Sequence, residues 1–275
     1  MSDNPILGHI LEVKKLSKLL NFINIDTSPE GRVHTSYNIV GATSIKEEKG
    51  SLVDDEDTHR AFGRWSSSKS IILPFGPGNL QNIPKKARKI FSWSSNNSDE
   101  IWIVSADYVQ AEAVVVAYEI GDQILINLFK KSFGTTKKYR NENNLDVHRL
   151  TAATMFQVPV DEVTDDQRTV GKTIRHANNY SAGPGVLSSR LGISMQQAKL
   201  LMKIYHSTCP QLHIWHQRIQ EELKQTRMLT NLLGRKHKFI GRWDDGLLRS
   251  AYSYKPQSTV GDLLNKSLSD IYYKH

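Results

Sequence analysis

Apolar residues recur at helical spacing through residues 6 to 25, ILGHILEVKKLSKLLNFINI, with lysines between them, so this stretch predicts a helix. Pro29-Glu30-Gly31 ends it in a turn. RVHTSYNIVG follows, and its β-branched and aromatic residues predict a strand. Residues 44 to 60 are dense in charge and lack a period, so they read as a surface loop. The short apolar run from Ile101 to Val104 predicts a buried strand that delivers Asp107 to its C-terminal end. Ala111 to Phe129 reads as one helix with a strongly apolar face, and Asp146 is placed to cap the helix after it. Thr164 or Asp165 caps the next, which should stop by Gly183-Pro184-Gly185. Ser194 and Gln197 form a capping box before a helix that runs to about Tyr205. Leu212, Trp215, Ile219 and Leu223 mark the core face of the following helix. LTNLLGRKHKFIGRW reads as a hairpin, and the last stretch as a helix broken or preceded at Pro256.

The stretch from Asp165 to Pro184, DDQRTVGKTIRHANNYSAGP, holds the most pointed chemistry. As a helix it sets Arg168, Lys172, His176 and Tyr180 four residues apart. Each step then drifts only ~40° around the axis, so the four form one slowly turning stripe ~18 Å long. Two cations lead and two rings follow. Arg168 and Lys172 can hold phosphate oxygens, the first by a planar fork and the second as a point charge. His176 and Tyr180 can pack on sugar and base faces. From spacing alone, an amphipathic helix with solvated cations remains the plainer reading.

Composition narrows this modestly. The chain has 275 residues, 39% hydrophobic and 23% charged, as a globular protein of one large or two ordinary domains has. Its 36 basic and 28 acidic residues give a net charge of +8, which favours a polyanionic partner such as nucleic acid. Cys209 is the only cysteine, which excludes an intrachain disulfide and a cysteine-type zinc site. No signal-peptide layout and no apolar run near the ~18 residues of a membrane span are present, so the expected location is cytoplasmic, with no membrane partner.

Several motifs, taken in order, resemble family A DNA polymerases, the group of bacterial DNA polymerase I and many phage replicative enzymes. FGRWSS is similar to the family's T-G-R-L-S-S, and NLQNIP is identical to its usual form. DYVQAEAVVVA resembles D-Y-S-Q-I-E-L-R, and DVHRLTAATMF resembles D-I-H-x-x-T-A-x-x-x-F. RTVGKTIRHANNYS resembles R-x-x-x-K-x-x-x-F-G-x-x-Y-G, the nucleotide-binding helix of the fingers. LLGRKHKF and KPQSTVGDLLNKSL resemble two later segments. The resemblance runs from about residue 8 to the last residue.

The resemblance implies an α/β (α+β) fold, a right-hand palm with an antiparallel sheet plus helical fingers. It divides the chain into a thumb-base helix at 1–32, palm at 33–114, fingers at 115–235 and further palm at 236–275. It implies template-directed DNA synthesis from deoxynucleoside triphosphates on primer–template DNA, with two Mg²⁺ ions. Asp107 and the Tyr108 carbonyl match metal-binding positions. Arg168 and Lys172 match the triphosphate clamp, and Lys172 is also the candidate proton donor to the leaving pyrophosphate. His148 matches a residue touching the phosphates, Glu112 the sugar gate and Tyr180 the tyrosine near the templating base. Gln110 and His176 complete the nucleotide-binding set. Arg64, Asn79, Gln81, Arg249 and Gln257 match positions along the primer–template duplex.

The sequence departs from the pattern in places. His176 stands where Phe or Tyr is usual, Ser181 replaces a Gly, Val109 a Ser and Val114 an Arg, while Ser253 and Ser258 replace Asn and Gly. The family's second catalytic carboxylate lies in a His-Asp-Glu hairpin that this sequence does not contain. Asp244, Asp245, Asp262 and Asp270 are not natural substitutes. The expectation is a polymerase piece that needs a complementing chain carrying that hairpin. Its rivals are a non-catalytic nucleic-acid-binding remnant, a single-subunit RNA polymerase, against which Glu112 and NLQNIP argue, and a remnant that does not fold alone.

Overall fold

A computed structural model describes residues 5–38, 62–70, 72, 75, 80–84, 87–91 and 106–274. The loop at 44 to 60, the strand expected from Ile101 to Val104, and Asn79 lie outside them. The chain divides into two compact units, residues 1–53 with 63–108, and residues 54–62 with 109–275.

In the first unit the lysine-spaced apolar period forms α1 (Pro5–Ile23). The turn predicted after it is closed by Ser28, which exchanges hydrogen bonds with Arg32, and by Gly31 at φ 73°. Strands β1 (Ser36–Asn38) and β2 (Ser66–Ser68) pair antiparallel with Ser36 opposite Ser68. The Tyr37 ring lies 6.0 Å from that of Trp65.

The second unit is a helical body: α2 (Ala111–Ile120), α3 (Gln123–Ser132), α4 (Lys137–Glu142), α5 (Val147–Phe156), α6 (Asp165–Asn179), α7 (Pro184–Leu191), α8 (Met195–Thr208), α9 (Pro210–Thr226) and α10 (Asp245–Lys274). Between α9 and α10 lies the predicted hairpin, β3 (Met228–Thr230) against β4 (Lys236–Lys238). Among the described residues the fold is mainly helical with two small antiparallel ribbons.

The core follows the predicted stripe. Leu212, Trp215, Ile219 and Leu223 of α9 are at most 1% exposed and pack with Ile174 of α6, Leu187 of α7 and Tyr254 of α10. Full burial of such side chains stabilises by about 1.5–3 kcal/mol each. At the edge of this core Lys255 of α10 lies 3.6 Å from Glu119 of α2 and 3.4 Å from Glu222 of α9, and the Trp215 indole donates to Glu119 at 3.1 Å. Three helices are pinned at one point.

Two expectations are corrected. The helix expected from Ala111 to Phe129 is two helices. Gly121, at φ 72°, ends α2, and the Asp122 carboxylate accepts the Leu125 N–H at 3.0 Å to start α3. A glycine–aspartate pair supplies a stop and a cap in adjacent positions, which the apolar period does not register. The break expected at Pro256 is absent, because α10 runs through it. Nine residues from Ala251 to Gly261, Pro256 among them, are buried there. Their packing outweighs the roughly 3 kcal/mol that a mid-helix proline costs.

Candidate functional site

The stripe helix α6 is built as its sequence requires. Thr164 is the N-cap, accepting from the Gln167 N–H at 3.2 Å, while the Gln167 side chain accepts the Thr164 N–H at 2.9 Å. It ends at Asn179, before the Gly183-Pro184-Gly185 limit as expected, and the chain leaves through Ser181 at φ 53°. That left-handed conformation favours glycine, so the departure at this position carries a backbone strain of order 1 kcal/mol.

Gly171 sets how closely α6 crosses α5. A Cβ there would lie 2.5 Å from the His148 carbonyl oxygen and 2.8 Å from the Ala152 nitrogen. The close crossing brings the two ends of the Asp146 network together. Asp146 Oδ1 caps α5 by accepting from the N–H groups of His148 and Arg149 at 2.9 and 3.2 Å. Its Oδ2 accepts from Arg168 Nε at 2.9 Å and Nη2 at 2.8 Å. Burial raises the Asp146 pKa, but the Arg168 bond and charge and the two backbone donors outweigh it and hold the carboxyl below its usual range. Arg168 thus reaches the site already paired on one edge of its guanidinium.

His148, 3% exposed, follows on α5 with its ring centroid 5.9 Å from that of His176. Its Nδ1 is buried without a hydrogen-bond partner. Burial, against the pull of Asp146, lowers its pKa to about 3, so the ring is neutral at neutral pH. His176 stands 6.2 Å from the Tyr180 ring, with Nδ1 3.8 Å from Glu112 Oε2. Its pKa is lowered first by burial and then by Lys172, Arg175 and Arg190, with Glu112 opposing them. The Tyr180 hydroxyl donates a short hydrogen bond to the same Glu112 oxygen. Glu112 sits in the first turn of α2, whose N-cap Gln110 has φ 55° and a buried side-chain oxygen without a partner.

Beside these rings lies a cleft of about 830 Å³. Lys172 and His176 of α6 and Tyr180 at its C-cap form one wall, Arg249 and Gln257 of α10 the other, and Arg190 of α7 also lines it. Among the described residues no carboxylate lines it. An open space flanked by cations and flat rings suits an anionic ligand with a planar part.

Arg168, Lys172, His176, Tyr180, His148 and Glu112 are therefore one connected group, and Arg249 and Gln257 face part of it across the cleft. Asp107 and Tyr108, both exposed, belong to the first unit. So do Arg64, exposed, and Gln81, whose amide donates to the Trp65 carbonyl at 3.0 Å. Sequence reasoning read Asp146 only as a cap and passed over Gly171 and Arg190. A capping Asp two residues before His148 was the available signal for the first, and a lone Gly inside a helical period for the second.

No group of three or more His, Cys, Asp or Glu side chains among the described residues is arranged to hold a metal ion. The exposed Asp107 carboxylate and the adjacent Tyr108 carbonyl suit one hard cation that keeps much of its water. The described residues do not furnish a two-ion centre. No described helix is long and apolar enough to cross a membrane.

Residues 1–274 match the protein-family model for DNA polymerase family A. The chain is 30% identical over 243 residues to DNA polymerase I of Treponema pallidum, covering 85% of this chain and 20% of that protein. It is 27% identical over 288 residues to the thermostable DNA polymerase I of Thermus aquaticus, covering 98% of this chain and 29% of the relative. It thus spans less than a third of these relatives' length. Among solved structures, the POL domain of Pol1 from M. smegmatis, in complex with DNA primer-template and dNTP, resembles it at a TM-score of 0.68 and 22% identity, over 98% of this chain and 44% of that one.

Proposed function

Because the chain belongs to DNA polymerase family A, we infer that it is the nucleotide-handling portion of a DNA-directed DNA polymerase, acting on primer–template DNA with deoxynucleoside triphosphates. The observation that carries this reading is the cleft in which Lys172, His176 and Tyr180 face Arg249 and Gln257 with no lining carboxylate among the described residues. The α6 wall belongs to palm-and-fingers geometry in this reading, with the fingers at 115–235 and palm segments at 33–114 and 236–275.

Each residue then has a task. Lys172 and the unpaired edge of Arg168 hold the triphosphate, and the neutral His148, buried beside His176, backs them without adding charge. His176 and Tyr180 flank the sugar and base. Glu112, held by the Tyr180 hydroxyl, closes the space beside C2′ and so favours deoxyribose. Lys172 donates the proton that neutralises the leaving pyrophosphate. Asp107 and the Tyr108 carbonyl would hold Mg²⁺, which when bound supplies positive charge for the attacking and leaving oxygens. The further carboxylate comes from polypeptide outside this sequence, in a complementing chain or segment with the His-Asp-Glu hairpin. Arg64, Asn79, Gln81, Arg249 and Gln257 line the duplex. Such a polymerase works in the cytoplasm of its cell or, if phage-encoded, of the host.

The absence of a metal cluster among the described residues favours one second reading, a nucleic-acid-binding fragment without turnover. Primer extension with Mg²⁺ separates the two, run with the chain, its Asp107→Ala and Lys172→Ala variants, and a fragment carrying the His-Asp-Glu hairpin. Incorporation that requires that fragment and is lost in both variants is the expected result. Duplex binding without incorporation under any combination would leave only the binding fragment.

A further inference from the structure

The polymerase reading leaves one cation of the cleft without a task. Arg190 sits in the last turn of α7, exposed, and lines the cleft with Lys172 of α6 and Arg249 of α10. All three are exposed. None of their side chains hydrogen-bonds or ion-pairs with a described residue, whereas Arg168 is committed to Asp146 at 2.8 and 2.9 Å.

Local helix electrostatics account for only part of this. A cation in the last turn of α7 complements the helix dipole, which would explain Arg190 by itself. Arg249 lies near the start of α10, where a positive charge is disfavoured, and Lys172 lies mid-helix in α6, where the dipole does nothing for it. Three like charges around one opening repel one another and concentrate positive potential within it. Arg190 also lies within electrostatic reach of the stripe, since its charge is among those that depress His176.

We propose that Arg190 is a phosphate-binding residue that completes, with Lys172 and Arg249, a three-cation cradle in the cleft. The proposal rests on the polymerase reading only for the source of the phosphate. That source is either the backbone of a nucleic-acid strand or the triphosphate of a nucleotide. Arginine suits both, because its fork can meet two oxygens of one phosphate.

The test uses Arg190→Gln, which keeps length and removes charge, and Arg190→Lys, which restores charge. Three probes are measured on wild type and variants: a fluorescein-labelled primer–template across a salt series, deoxyadenosine triphosphate, and inorganic tripolyphosphate read as a rise in melting temperature. A backbone source predicts about tenfold weaker primer–template binding by Arg190→Gln, a salt slope lower by about one, and an unchanged affinity for deoxyadenosine triphosphate. A triphosphate source predicts the same scale of loss for the nucleotide and for tripolyphosphate. In both cases Arg190→Lys recovers most of the loss. Equal binding of all three probes by wild type and Arg190→Gln overturns the cradle. Wild type that is stabilised by tripolyphosphate but binds neither DNA nor nucleotide would overturn the polymerase reading while leaving the cradle standing.

Discussion

Asp146 carries two jobs on two oxygens, and substitutions can separate them. One oxygen caps α5 and the other grips Arg168 of α6. Asparagine caps about as well as aspartate, but it cannot pair with the guanidinium charge. Asp146→Asn is therefore expected to lose only the pairing, and Asp146→Ala to cost about 1 kcal/mol more in urea unfolding. Equal losses would mean that the cap contributes nothing. Buried histidines set the acid side of stability. Burial lowers His148 to about 3 and His216 to about 4, against 6.5 for the ordinary side chain. As pH falls below about 6.5 the unfolded chain takes up protons that the folded chain refuses, so folded stability is complete above that pH and drains away below it. Each group removes at most about 1.4 kcal/mol per pH unit in this window. The melting temperature should fall between pH 7 and pH 5, and fall less in His216→Gln. A flat profile would show that the two rings are not held neutral.

At the scale of elements, the crossing of α5 and α6 decides the site. The atoms that a Cβ on Gly171 would strike are both backbone, the His148 oxygen at 2.5 Å and the Ala152 nitrogen at 2.8 Å, so neither can swing aside. Gly171→Ala must push the helices apart, at a cost of about 1–3 kcal/mol. The same shift draws Arg168 from Asp146 and His148 from His176. A calorimetric melt and nucleotide binding should therefore worsen together. A variant with wild-type melting would mean that the helices close less tightly than the distances state. This crossing was not legible in the sequence, because a glycine in a helical period reads as a weak point until its neighbour is known. The cap at Ser194 was legible, because both reciprocal partners lie within three residues of each other, whereas at α6 the structure chose Thr164 over Asp165.

Across the whole molecule the net charge is +8, and part of the positive charge of the described residues gathers at one cleft. Lys172, Arg190 and Arg249 turn unpaired charge toward one cleft, while Lys255 is spent between Glu119 and Glu222 and Arg235 on Asp262. Cations that release counterions from DNA make binding steeply dependent on salt. If the protein touches about six phosphates, raising salt from 50 to 200 mM should weaken primer–template binding by about a thousandfold, as read by fluorescence anisotropy. A loss of less than tenfold would mean that the basic cleft is not the DNA contact.

Local order along the chain was enough for the helix period of α1, the capping box at Ser194, the apolar face of α9, the β3–β4 turn and the four-residue stripe of α6. Those features depend on residues a few positions apart, and such neighbours act on one another before any fold exists. The motif order likewise pointed to the family that the comparisons show. The continuity of α10 through Pro256, the split between α2 and α3, and the mainly helical character of the described chain depended on packing across long separations. So did the pairing of Arg168 with Asp146 over 22 positions and of Tyr180 with Glu112 over 68. A carboxylate's partner is set by which helix face meets it in space, and burial determines whether a ring or a cation keeps its charge. Neither quantity exists until the helices have closed on one another.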